Sequence, residues 1–219
     1  MASITEWCAP FDRPLWSSRD ESASAVTTPF YPVIATFALN AHSALAQSTS
    51  DLPLSLRKNR RMEGWIRRDP DNSVVVFTGK AELGQGILTA LAQIAAEELD
   101  VDVGRIRMVS ADTSRGPDEQ YTFGSQSIEQ SGGATRAACA EARAILLEAA
   151  ARRFQLQETE LKVIAGTVFA ADDRRATYWE VASGEPEILR REITGSVQPK
   201  RPADYRIVGK SFPRGRRRA

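Results

Sequence analysis

The chain has 219 residues, 42% of them hydrophobic and 26% charged, the make-up of a globular protein long enough to bury a real core. Its 29 basic and 28 acidic residues leave a net charge of +1, so no electrostatic footprint marks nucleic acid as a partner. Two separated cysteines, Cys8 and Cys139, and a single histidine, His42, cannot build a zinc site by themselves and offer no Ser-His-Asp or Cys-His pair.

Residues 1–50 stand apart in character. They hold Pro10, Pro14, Pro29 and Pro32 and many Ser and Thr, with no clear period. Within them Phe30–Ala46 is apolar and uncharged and ends on Ala44-Leu45-Ala46, like the small-x-small cleavage site of an export signal. The preceding flank mixes Arg13 and Arg19 with Asp12, Asp20 and Glu21 and has no twin arginine. A disordered leader and a degenerate signal segment both fit, which leaves cytoplasm and periplasm both open. The run falls short of the ~20 residues of a membrane span and carries Pro32, Asn40 and His42, so no membrane span is expected.

The patterned region, taken as residues 51–182, opens with two expected strands, Met62–Ile66 and Val74–Phe77, joined by the turn sequence Asp69-Pro70-Asp71-Asn72. Leu88–Leu99 has helical spacing, with Leu88, Leu91, Ala92, Ala95 and Leu99 on one stripe and Gln93, Glu97 and Glu98 off it. Ile106–Ser110 reads as a strand and residues 114–125 as a polar loop. Ala134–Phe154 is rich in strong helix formers, and its apolar face is Ala138, Ala142, Ile145 and Ala149. Cys139 in this run reads as a small buried residue rather than a disulfide partner of Cys8. Leu161–Ala165 and Thr167–Ala171 form an expected hairpin around Gly166, and Thr177–Val181 a short strand entering a helical turn. Residues 183–219 read as an irregular linker and basic tail, solvated rather than bound to nucleic acid. The order predicts an α+β domain, a mainly antiparallel sheet packed with two longer helices.

Two segments carry the chemistry on offer. Thr78–Gly86 (TGKAELGQG) follows a strand and precedes a helix; its glycines permit close backbone approach, and the N–H groups of the next helix's first turn can hold an anion. Gln85 brings an amide to the tip of that loop. The spacing is neither a Walker loop nor G-x-G-x-x-G, and a purely structural turn fits the same residues. Tyr121–Gly133 (YTFGSQSIEQSGG) is dense in hydroxyls, amides and glycines; it can surround a polar ligand, or cap the following helix with Ser131 at the N-cap. Asp112, Asp118 and Glu119 read as loop solvation or caps, since nothing in the sequence gives any of them the tuned pKa of a general base.

Together the stretches VVVFTGKAELGQGILTALAQIAAEELDV, RIRMVSADTSRGPDE and YTFGSQSIEQSG, followed by the Ala/Arg helix, resemble the N-terminal part of the molybdopterin-binding large subunit of the xanthine dehydrogenase/aldehyde oxidase family. The flavour is that of the bacterial isoquinoline 1-oxidoreductase and nicotinate dehydrogenase-like branch, and the resemblance runs on through Thr177-Tyr178-Trp179-Glu180 to Tyr205–Pro213. It implies a partial molybdenum-cofactor-binding domain and molybdopterin, or its cytosine dinucleotide form, as cofactor, in a chemistry that hydroxylates aldehydes or N-heteroaromatic carbons with water. It further implies that Gln85 approaches the apical side of the molybdenum, that Gly84 and Gly86 admit the cofactor, and that Gly124, Ser125, Gln126 and Ser127 line its surroundings. No direct metal ligand and no catalytic residue is expected within this chain, because the family's base lies in a later segment. The ending Gly-Arg-Arg-Arg-Ala departs from the family pattern. The expectation is therefore a truncated or split subunit, not catalytic alone, needing the remainder of the molybdenum subunit and a 2Fe-2S subunit or other electron acceptor. A non-catalytic relic is the competing expectation.

Overall fold

The computed structural model describes residues 52–185 and 187–213; Cys8, His42, the Phe30–Ala46 run and the Arg-rich tail lie outside them. The described chain is α+β. A short helix α1 (Leu54–Lys58) leads into two three-stranded sheets, β1 (Ile66–Arg68), β2 (Val74–Thr78) and β3 (Ile106–Ser110), then β4 (Leu161–Ile164), β5 (Thr167–Ala170) and β6 (Arg175–Thr177). Between and beside them lie α2 (Ile87–Leu99), α3 (Gly133–Phe154) and α4 (Tyr178–Gly184).

The second sheet is an antiparallel meander, with the β4–β5 turn made at Ala165 and Gly166, both at positive φ. The pairing is mainly antiparallel, as expected, and the first sheet is mixed. β1 pairs antiparallel with β2, but β2 pairs parallel with β3, Val76 opposite Met108, because α2 carries the chain back to the same end of the sheet. As the central strand, β2 is buried at all five residues, which explains its unbroken apolar run where a half-exposed strand would alternate. The first expected strand is displaced: Met62–Gly64 forms a 3₁₀ turn, and the strand is Ile66–Arg68. Trp65, fully buried between them, donates its indole N–H to the Asn59 carbonyl at 2.7 Å.

α2 packs along α3, and α3 also meets α4 and β5, so a single core joins both sheets. Along α3, Ala134, Ala138, Ala142 and Ala150 are fully buried and admit close neighbours on several sides, alongside the buried, free Cys139. Ser131 does not cap this helix. It lies inside a π-helical turn, Ser127–Gly132, that runs into α3 without a side-chain cap, and its hydroxyl is buried without a partner among the described residues.

Glu97 and Glu98, off the expected apolar stripe of α2, are nonetheless each only 2% exposed. They and Glu141 of α3 are the anchors for residues 187–213, which hold one 3₁₀ turn and little other regular structure. Glu141 accepts the N–H groups of Thr194 and Gly195, and Glu98 accepts the N–H of Lys200 at 3.0 Å and the guanidinium of Arg136 at 3.0 Å. Ile193 donates its N–H to the Arg60 carbonyl and Met62 donates to the Arg191 carbonyl, so this segment also covers the start of the domain. Burying a carboxylate costs least when hydrogen-bond donors meet it, and here backbone N–H groups supply most of the donors, with the Arg136 guanidinium on Glu98.

Candidate functional site

β2 and β3 run parallel, so their C-terminal ends point the same way, and both candidate loops leave from that edge. In open sheets with parallel strands this is the edge where ligands collect. The first loop runs from Gly79 to Gly86 into α2; the second runs from Ala111 through Gly124 into the π-helical turn.

The roots of the loops are fastened together. Ala81 donates its N–H to the Thr122 hydroxyl at 2.8 Å, and the Glu119 carboxylate accepts from the Thr78 hydroxyl at 2.6 Å and the Gly79 N–H at 2.8 Å. Gly79 has no room for a side chain: a Cβ there would meet the Pro117 carbonyl oxygen at 2.6 Å.

The tip of the first loop is satisfied from within. Gly84 and Gly86 take positive φ, and both their N–H groups donate to Glu82 Oε1 at 2.9 Å, while Glu82 Oε2 accepts from Leu88 N–H at 3.2 Å. The expected anion site at the start of α2 is therefore filled by a carboxylate of the chain itself, which also sets a negative charge at the positive end of the helix. The Gln85 amide is likewise turned onto its own loop, accepting from Leu83 N–H at 2.6 Å and donating to the Ala81 carbonyl at 3.0 Å.

The second loop is open. Gly124 and Ser125 both take positive φ, and the side chains of Ser125, Gln126 and Ser127 make no hydrogen bond to a described residue. Their hydroxyls and amide are free donors and acceptors. Large apolar side chains of the two loops are exposed, Leu83 at 73%, Tyr121 at 80% and Phe123 at 59%. The Tyr121 and Phe123 rings meet edge to face at 6.4 Å.

The nearby carboxylates divide into distinct roles. Asp112 closes its own turn on Ser114 and Arg115, and the Ser114 hydroxyl, followed by the Arg115 guanidinium, holds its carboxyl at about 2, far below the range of a base poised for neutral pH. Asp118 accepts the Gln120 N–H at 3.0 Å. Glu119 is not loop solvation. It is buried and spans the two loops, a role that only the fold reveals. Among the described residues no three His, Cys, Asp or Glu gather as a metal would require, and no helix is long and apolar enough to cross a membrane.

A family described as molybdopterin cofactor-binding domain matches residues 35–207. The chain belongs to that family. It is 37% identical over 157 residues to one of the subunits of nicotinate dehydrogenase from Pseudomonas putida, a match covering 72% of this chain and 13% of that protein. It is 32% identical over 188 residues to the beta subunit of isoquinoline 1-oxidoreductase from Brevundimonas diminuta, covering 68% of this chain and 24% of that one. Among solved structures, the Cu,Mo-CO dehydrogenase matches over 53% of this chain and 15% of its own, at 29% identity and a TM-score of 0.48. The chain thus spans less than a quarter of the length of the two curated relatives. For the family's cofactor, the open second loop offers donors and acceptors suited to a polar pterin, whereas the first loop would have to give up internal bonds to use the Gln85 amide.

Proposed function

We propose that this chain is part of the cofactor-binding subunit of a molybdenum hydroxylase and holds molybdopterin against its second glycine loop. The observation that carries the reading is the pairing of two glycine-rich loops at the C-terminal edge of β2 and β3, one of them with Ser125, Gln126 and Ser127 unengaged. Membership in the molybdopterin-binding family and the likeness to nicotinate dehydrogenase and isoquinoline oxidoreductase subunits support it. When bound, the cofactor supplies the redox chemistry that hydroxylates an aldehyde or an electron-poor N-heteroaromatic carbon with oxygen from water. The cytosine dinucleotide is the proposed form.

The chain's own residues have narrower tasks. Gly124 and Ser125 turn the backbone so that the hydroxyls of Ser125 and Ser127 and the Gln126 amide face the pterin. Gly84, Gln85 and Gly86 form the opposing wall, kept in shape by Glu82. The apolar rim of Leu83, Tyr121 and Phe123 excludes water once the remainder of the subunit covers it. A carboxylate suited to proton transfer at neutral pH comes from that remainder, and electrons leave through a 2Fe-2S subunit or another acceptor. The competing reading, a relic without cofactor, draws on the Glu82 carboxylate in the α2 nest and the self-bonded Gln85.

Metal and pterin analysis of the chain isolated from its host, with whatever copurifies, separates them. Molybdenum and pterin recovered together with a second protein are expected. A chain that purifies alone and carries neither would overturn the proposal in favour of the relic.

A further inference from the structure

Lys80 is 2% exposed, and a buried ammonium needs acceptors for its protons. Nζ donates to the Glu119 carbonyl at 2.7 Å and the Tyr121 carbonyl at 2.8 Å, both on the second loop. Glu119, 5% exposed, reaches the other way: its Oε2 accepts from Thr78 and Gly79 at the root of the first loop. The two side chains therefore cross, each rooted in one segment and bonded to the other. Oε1 of Glu119 is buried without a hydrogen-bond partner among the described residues, so one oxygen carries both bonds. The Lys80 N–H adds a bond to the Thr78 hydroxyl at 3.2 Å, which ties the cluster into one network.

We infer that Lys80 and Glu119 are positioning residues, a crossed clip that fixes the spacing between the Gly84–Gly86 loop and the Gly124–Ser127 loop so that both walls address one cofactor; this rests on the cofactor reading above. Neither side chain bonds to Gly84–Gly86 or to Gly124–Ser127, so each is assigned a role through the loops rather than on the ligand. A pair that served only global stability would, when broken, loosen the whole domain. A clip, when broken, frees two loops and leaves the distant β4–β5 hairpin as it was.

The test uses the full chain with any copurifying protein, as wild type, Lys80→Met, Glu119→Ala, Glu119→Gln and the remote core variant Val168→Ala. Amide hydrogen exchange is followed in peptides covering residues 79–87 and 117–127, with the β4–β5 hairpin as reference. Lys80→Met and Glu119→Ala are expected to raise exchange in both loop peptides by about tenfold or more, as when hydrogen bonds to a buried charge are lost, with the hairpin unchanged. Glu119→Gln, whose amide oxygen can still accept, restores most of the protection. Retention of molybdopterin, read by pterin fluorescence, falls in Lys80→Met by a larger factor than in Val168→Ala. Unchanged exchange in the loops, or a parallel rise in every peptide as in Val168→Ala, would overturn the clip, as would equal pterin retention by wild type and Lys80→Met. A wild-type chain that retains no pterin overturns the cofactor reading instead, whatever the exchange shows.

Discussion

Glu97 Oε2, near the end of α2, accepts the backbone N–H of Ile207 at 2.5 Å, from a residue 110 positions further along the chain. The same oxygen accepts the N–H groups of Arg206 and Val208, each at 2.9 Å. Three consecutive N–H groups converging on one carboxylate oxygen form an anion nest whose anion is built in. Glu97→Ala leaves all three without their acceptor and is expected to lower the unfolding free energy by roughly 2–4 kcal/mol. Urea unfolding measures this. Trypsin should then cut after Lys200 and Arg206 faster than in the wild type, and a variant that resists both urea and trypsin as wild type does would show that residues 187–213 are held by something else.

That bond also marks where the sequence stopped being readable. β2, α2, β3, α3 and the β4–β5 hairpin follow from apolar spacing, because each buries a face whose period is local. Glu97 and Glu98 sit off the apolar stripe of α2 and look like surface charges; their backbone N–H donors lie about a hundred residues away, beyond the reach of any window. The parallel pairing of β2 and β3 was equally hidden, since strand order depends on where α2 returns the chain. In the candidate site the glycine and hydroxyl density of the two loops was legible, but their mutual placement was not. Lys80 and Glu119 are charged loop residues in the sequence and buried fasteners in the fold. The one local signal that could have exposed the filled nest is Glu82 two residues before Gly84 and four before Gly86, a carboxylate spaced to cap its own loop.

Removing the Glu82 side chain should open that nest. Glu82→Ala frees the N–H groups of Gly84, Gly86 and Leu88, and the loss of a helix-start cap is expected to reduce stability by about 0.5–2 kcal/mol. The freed groups can then bind an external anion, so millimolar phosphate should raise the variant's melting temperature while leaving the wild type unchanged. Equal stabilisation of both proteins by phosphate would mean that Glu82 does not occupy the nest in solution.

Tyr178 gives a pH-dependent prediction. Burial raises its hydroxyl above the usual value, with Arg143 opposing and Asp100 adding to the effect. The folded pKa lies above the unfolded one of about 10, so this contribution is complete below that pH and is lost as pH rises through it toward the folded value. The hydroxyl also has no hydrogen-bond partner among the described residues, so Tyr178→Phe discards a buried polar group at no loss of a bond. The variant is expected to be about 1 kcal/mol more stable near neutral pH and to lose less stability above pH ~10. Cys139, whose thiol burial also raises, contributes its own alkaline decline in both proteins and cancels from the comparison. A steeper alkaline decline in the phenylalanine variant would contradict the assignment to Tyr178.

Two glycines at opposite extremes test the close approach of the loops. A Cβ on Gly79 would lie 2.6 Å from the Pro117 carbonyl oxygen and 3.0 Å from the Glu119 nitrogen, both backbone atoms that cannot rotate aside. Gly79→Ala must therefore push the loops apart, at a cost of roughly 1–3 kcal/mol for a forced methyl. A Cβ on Gly64 meets nothing within 4 Å, and its backbone does not require glycine, so Gly64→Ala should be neutral or stabilising by about 0.4–1 kcal/mol through the unfolded chain. The separation distorts the Gly79–Glu119 bond that belongs to the clip, so Gly79→Ala should also speed amide exchange at Gly79–Gly86 more than elsewhere. If both alanine variants unfold at the same urea concentration, the two loops do not pack as closely as the fold places them, and the proposed site between them goes with them.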